Sequence, residues 1–173
     1  HSPLTCQVSQ TTAGVTSLAQ TAIWYPFYIP RSTQVTLSLN CTTLQSGATA
    51  RFSIFSGNEA TVAPTSLLED LGTVSTATTG LKQLTSVSAH SGFVFVGLWH
   101  SNHSSVRCTR AAADTSAFNP MGGPGGVSTR IPYGWYATGL DYSASWPAGS
   151  PPALLIANNT DQLNYPGIWM EWA

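Results

Sequence analysis

Apolar and polar residues alternate along several short stretches of the chain, and this alternation predicts β-strands. In QVTLSLN, the apolar Val35, Leu37 and Leu39 are separated by single polar residues, a period of two that is typical of a strand with one buried face. The same pattern occurs in ATARFSIFS. Further strands are predicted at LLEDLGTV, LKQLTSVS, ALLIAN and IWMEWA, with turn-forming residues between them.

The stretch GFVFVGLWHSNH, residues 92–103, is apolar at successive positions rather than at alternate ones. A strand of this kind is buried on both faces, so we expect residues 93–99 to form a central strand. SVRCTR follows a short polar turn and is predicted to return beside it as a hairpin. In IWYPFYIP, Pro26 and Pro30 cannot donate ladder hydrogen bonds, and this favours a position in the core or at a sheet edge.

No stretch has the apolar spacing of three and four residues that predicts an amphipathic helix. Strands repeated at intervals of about 8 to 12 residues indicate a sandwich or a barrel. We therefore predict an all-β fold, an antiparallel β-sandwich of jelly-roll type without a substantial helix. Residues 21–173 form this domain, and the polar residues 1–20 precede it as an edge strand or a linker.

The composition of the chain argues against binding to nucleic acid, insertion into a membrane and a zinc site. Only 8% of the 173 residues are charged and the net charge is −1, so the chain has no basic field for nucleic acid. The longest apolar run, residues 93–99, is too short for insertion across a membrane. Three scattered cysteines, Cys6, Cys41 and Cys108, form no zinc-binding pattern. They favour buried thiols, with a Cys6–Cys41 bridge as the alternative.

Two histidines close the apolar strand and are the first candidates for chemistry. His100 and His103 would need a third ligand such as Asp114 to hold a metal; the simpler interpretation is that both begin a solvent-facing turn. Glu69 and Asp70 point to opposite faces of a strand and cannot flank one bond, so they are interpreted as edge or surface residues. We expect no catalytic residue, no metal site and no cofactor.

Residues 111–152 interrupt the regular spacing of strands with a loop rich in Gly, Pro and aromatic residues. Long ordered loops are uncommon and tend to carry function. Because exposed aromatic rings anchor ligands and protein interfaces, five residues are the candidate contacts with a ligand or partner: Tyr133, Trp135, Tyr136, Tyr142 and Trp146. The alternative is that these rings fold back over an open end of the sandwich or are buried at a subunit contact.

The order of these features resembles a known family. IWYPFYIPRSTQVTLSLN, followed by LGTVSTATTGLKQL and SGFVFVGLWHSN, is similar to the C-terminal β-sandwich domain of tail, fibre and minor structural proteins of tailed phages. The resemblance extends over residues 20–173. It implies a non-enzymatic virion domain at a tail tip, on a fibre or as a surface decoration, displayed on the particle exterior. Its partners would be other virion subunits, a host surface glycan or protein, or both.

A homo-oligomer, with a trimer as the expected form, is the hypothesis that the Trp-rich C-terminus and the polar N-terminal segment motivate. Two other functions compete with the virion interpretation. A carbohydrate-binding module of a secreted polysaccharide-degrading enzyme would share the sandwich and the aromatic loop. A hydrolase would use His100, His103 and Asp114, and should lose its activity when His100 is replaced.

Overall fold

The computed structural model describes residues 10–16, 22–43, 46–101, 107–111, 134–137, 141, 145–149, 151, 155–157 and 168–172. Within these ranges the chain forms β-strands, and no helix long and apolar enough to cross a membrane is found there. The strands are β1 (Gln10–Thr16), β2 (Ala22–Thr33), β3 (Val35–Thr43), β4 (Thr49–Asn58), β5 (Ala63–Ser75), β6 (Gly80–Thr85), β7 (His90–His100), β8 (Arg107–Ala111), β9 (Gly134–Ala137), β10 (Leu155–Ala157) and β11 (Ile168–Trp172).

The strands pair antiparallel in two sheets. One sheet has six strands in the order β10-β9-β2-β7-β4-β5. The five-stranded sheet is built around β3. Strand β6 pairs with one edge of β3, and the other edge pairs with β11 along residues 35–39 and with β8 at residues 41 and 43. Strand β1 pairs with β8 at the end of this sheet. The predicted all-β antiparallel sandwich is confirmed, and the jelly-roll connection of its strands remains a prediction.

The main core lies between the sheets and is built by alternate residues of facing strands. Val35, Leu37 and Leu39 of β3 supply one side, and β2, β4 and β7 supply the other. Along β7, Val94, Val96 and Leu98 face this core. Phe95 and Trp99 point to the opposite side and belong to a second cluster on the outer face of the sheet. The prediction of a central strand buried on both faces is therefore confirmed.

The predicted hairpin between the apolar strand and SVRCTR is wrong. Strand β8 lies in the five-stranded sheet, where it pairs with β1 and β3. The physical reason is that both edges of β7 are already occupied, one by β2 and the other by β4. The chain therefore crosses to the other sheet instead of turning back beside β7.

Two other expectations concern sheet edges. Within the described residues, strand β9 pairs with β2 at residues 22–24, and Pro26 and Pro30 lie beyond this ladder. There β2 pairs with β7 on its other side, and no described strand requires these prolines to donate ladder hydrogen bonds on the β9 side. Strand β1 lies at the end of the five-stranded order, and the division of the chain between residues 1–20 and 21–173 stays a prediction.

Candidate functional site

An aromatic cluster on the outer face of the six-stranded sheet contains one of the predicted contact residues. We define this cluster as Trp24, Phe55, Trp99 and Trp146. The ring of Trp146 has its centroid 5.7 Å from that of Trp24, 5.8 Å from Phe55 and 5.1 Å from Trp99. Trp146 is only 3% exposed. It therefore packs inside the domain, on the outer face of the six-stranded sheet rather than over an open end of the sandwich.

Gly97 explains how the Trp146 ring can approach the sheet so closely. Residues 93, 95, 97 and 99 share the outer face of β7, and Gly97 leaves a gap between larger side chains. A Cβ atom added at Gly97 would lie 3.0 Å from Cη2 of Trp146 and would clash with the hydroxyl of Ser53. A residue with a side chain at position 97 would push Trp146 away from the sheet, so glycine is a steric requirement here.

The other predicted contact residues have different surroundings. Trp135 lies in β9, packs partly buried against the aromatic cluster and donates its indole N–H to the carbonyl of Val62 at 2.5 Å. Tyr136 also lies in β9, in register with Ile23 of β2. Tyr133 and Tyr142 lie outside the described residues. The structure thus brings Trp135 and Trp146 to one side of the six-stranded sheet.

The prediction that His100 begins a solvent-facing turn is wrong. His100 is 3% exposed, and burial lowers its pKa from 6.5 to about 4. It is paired with Ala50 of β4, and Ser101 continues the contact through hydrogen bonds to Thr49. Because β4 extends alongside the end of β7, the strand remains covered at His100. His103 and Asp114 lie outside the described residues.

No group of three or more His, Cys, Asp or Glu side chains in the described part of the chain is placed to hold a metal ion. His100 is instead a neutral histidine whose Nε2 has no hydrogen-bond partner within that part. An imidazole with a lowered pKa and an unpaired nitrogen can accept a proton only at a cost in folding free energy.

Glu69 has a role that the sequence interpretation missed, since it holds the turn between β6 and β7. Its carboxylate accepts hydrogen bonds from the N–H groups of Val87 at 2.6 Å and Ser88 at 3.2 Å, and lies 2.8 Å from Nε2 of His90. Burial raises the pKa of Glu69, but the hydrogen bonds from Val87, His90 and Ser88 together lower it below its usual 4.5. No local pattern indicated this role, because the partners of Glu69 lie 18, 19 and 21 residues away in the sequence.

Asp70, the neighbour of Glu69, forms an ion pair of 2.5 Å with Arg51 of β4. Strand β5, which carries both carboxylates, is at the edge of the six-stranded sheet. The interpretation of Glu69 and Asp70 as edge or surface residues therefore agrees with their place on an edge strand, whereas their separate partners were not predicted.

The outer face of the five-stranded sheet carries polar side chains together with an exposed leucine. One charged residue, the exposed Glu171 of β11, is in register with Thr36 and lies on the same face. We call the surface formed by Thr36, Ser38, Leu81, Gln83 and Thr85 the hydroxyl face; Ser38 is buried within it, at 2% exposure. The hydroxyls of Thr36 and Thr85 are 2.8 Å apart, and Gln83 donates to the hydroxyl of Ser38 at 3.0 Å. These hydrogen bonds join β3 to β6 across this face, where Leu81 is 57% exposed.

Comparisons with protein-family models, with curated proteins and with solved structures find no match to this chain. Function is therefore inferred from the surfaces described above and from the resemblance in the sequence.

Proposed function

We propose that this chain is a non-enzymatic structural domain of a tailed-phage virion, located at a tail tip, on a fibre or on the particle surface. It acts in subunit assembly, in attachment to the host cell surface, or in both. The resemblance in the sequence suggests that the domain belongs to a phage virion, and the hydroxyl face supports contact with another subunit.

The observation that carries this proposal is the difference between the two outer faces of the sandwich. The chain covers the outer face of the six-stranded sheet with its own Trp146. The hydroxyl face instead combines exposed Leu81 with uncharged hydrogen-bonding groups, and the one charge beside it is Glu171, in register with Thr36. Interface cores are depleted of charged residues and mix apolar contact with hydrogen bonds. This composition suits contact with another subunit, and copies of one chain associate by symmetry.

The carbohydrate-binding alternative depends on exposed aromatic rings in residues 133–146. Trp146 packs within the aromatic cluster, and the indole N–H of Trp135 is occupied by the carbonyl of Val62. A sugar platform would need a free ring face and an available polar edge. These two residues offer less of that surface than the sequence pattern suggests, so assembly is the function that we adopt.

Light scattering of the full chain over a range of concentrations tests the assembly role. We expect a homo-oligomer, and we expect Leu81→Glu to weaken association at least about tenfold because an unpaired charge would be desolvated in the interface. Leu68→Glu is the matched control, since Leu68 is also an exposed strand leucine, at 50%, but belongs to the six-stranded sheet.

Both variants should retain the wild-type circular dichroism spectrum, because both positions are exposed. A wild-type chain that is monomeric at every concentration would overturn the assembly role. Equal weakening by Leu81→Glu and Leu68→Glu would show that the hydroxyl face is not the contact surface.

A further inference from the structure

Strand pairing places two of the three cysteines opposite each other. In the antiparallel ladder between β3 and β8, Cys41 is in register with Cys108. Opposed residues of such a ladder share one face of the sheet, with Cα atoms about 4.5 to 5.5 Å apart. Disulfides span Cα distances of about 4.4 to 6.8 Å, so the backbone spacing of an opposed pair is compatible with a bridge once the two Cβ atoms approach each other. Cys41 itself belongs to the buried core between the sheets.

The ladder between β3 and β8 is short, and it attaches β8 to the rest of the five-stranded sheet. Strand β8 is registered with β3 at two positions, Cys41 with Cys108 and Thr43 with Arg107, and an irregularity separates them. Strand β1 is registered with β8 at five positions. Among the described strands, β8 is the one that connects β1 to the rest of the sheet. The two cysteines therefore lie where a covalent link would hold the β1–β8 ribbon to the sandwich.

We propose that Cys41 and Cys108 are an oxidative modification site, at which a cross-strand disulfide forms when the chain folds in an oxidising medium. The proposal is independent of the virion function, because it depends only on strand register and thiol chemistry. It also differs from the Cys6–Cys41 bridge that the sequence left open.

The oxidant is a small-molecule disulfide such as oxidised glutathione. The thiolate of one cysteine attacks this disulfide, which releases one glutathione thiolate and leaves a mixed disulfide on the protein. The thiolate of the second cysteine then attacks the protein sulfur, forms the Cys41–Cys108 bond and releases the second glutathione thiolate. Two protein thiols are oxidised and one small disulfide is reduced to two thiols, because the two protons lost by the protein thiols are taken up by the two glutathione thiolates. Because Cys41 is 2% exposed in the folded chain, the exchange takes place before β8 docks.

Peptide mapping tests the link directly. Trypsin cleaves after Arg and Lys, which separates Cys6, Cys41 and Cys108 onto residues 1–31, 32–51 and 108–110. The full chain is refolded with reduced and oxidised glutathione, denatured, alkylated without reduction and digested. We expect residues 32–51 linked to 108–110 and Cys6 alkylated, and the control Cys6→Ser should give the same link. Alkylation of all three cysteines, or a link that includes Cys6, would overturn the proposal.

Amide hydrogen exchange then measures what the link does. We expect exchange in β1 and β8 to slow at least about tenfold in the oxidised chain relative to Cys108→Ser, because the bridge opposes local detachment of the ribbon. Exchange in β7, at the centre of the other sheet, should be unchanged. Equal exchange of β1 and β8 in the two proteins would refute the role as a staple.

Discussion

Replacing His100 tests the buried end of β7 through the pH dependence of stability. Burial lowers the pKa of His100 from 6.5 to about 4. Between these two pH values the unfolded chain binds a proton at this residue and the folded chain does not. The free energy of unfolding therefore falls as pH falls from 6.5 towards 4, and this loss is absent above pH 6.5.

The magnitude follows from the size of the shift. One pKa unit corresponds to about 1.4 kcal/mol, so a lowering from 6.5 to about 4 corresponds to roughly 3 kcal/mol once it is fully developed. At pH 5 the loss has reached about 2 kcal/mol. His100→Leu removes the titrating group and keeps a side chain of similar size. The variant should therefore lose about 2 kcal/mol less than the wild type between pH 8 and pH 5.

Urea unfolding followed by tryptophan fluorescence measures this difference at both pH values. The pH 8 measurement is the internal control, because His100 is neutral there in both states and only the packing change of the substitution contributes. Every other group titrates in both proteins, so its contribution cancels in the comparison. Parallel losses of stability in the wild type and His100→Leu would refute the assignment of a buried, neutral histidine.

Three further substitutions test the contacts around the core. Trp146→Ala should destabilise the domain by about 3 to 5 kcal/mol in urea unfolding, because it empties the centre of the aromatic cluster; a loss below about 1 kcal/mol would contradict burial of this ring. Gly97→Ala should cost about 1 to 3 kcal/mol by overpacking against Ser53 and Trp146, and wild-type stability would show that the ring lies elsewhere. Glu69→Gln should cost about 1 to 3 kcal/mol at pH 7 through its weakened hydrogen bonds, whereas exposed Glu59→Gln should be neutral. Because folding lowers the pKa of Glu69, the carboxylate stabilises the folded chain above pH 4.5, and this stabilisation is lost as pH falls through the lowered pKa. A loss of stability in Glu69→Gln that is as large at pH 2 as at pH 7 would contradict this role.

Strand positions could be predicted because alternation is a local property of the chain. In β3 the period of two corresponds to one buried face. In β7 the continuous apolar run corresponds to two buried faces. The same rule, carried one step further, places His100 on the face of Val94, Val96 and Leu98. A polar residue at the end of a strand suggested a turn, and the extension of β4 beside it kept the position buried.

Partners that are distant in sequence could not be predicted in this way. The hairpin of β7 with β8 was wrong because the edges of β7 are filled by β2 and β4, which no local pattern reveals. Trp146 fills the space over Gly97 from a different part of the chain. The glycine indicates a close approach, but its residue type does not identify the ring that approaches.

The measurement that tests the virion assignment most directly is the presence of the chain on intact tailed-phage particles whose genome encodes it. Purified particles would be labelled with a gold-conjugated antibody against the chain and viewed by electron microscopy, with peptide mass spectrometry of the same particles. The account predicts peptides of the chain in the particles and gold on their exterior. Intact particles that lack the chain would contradict it.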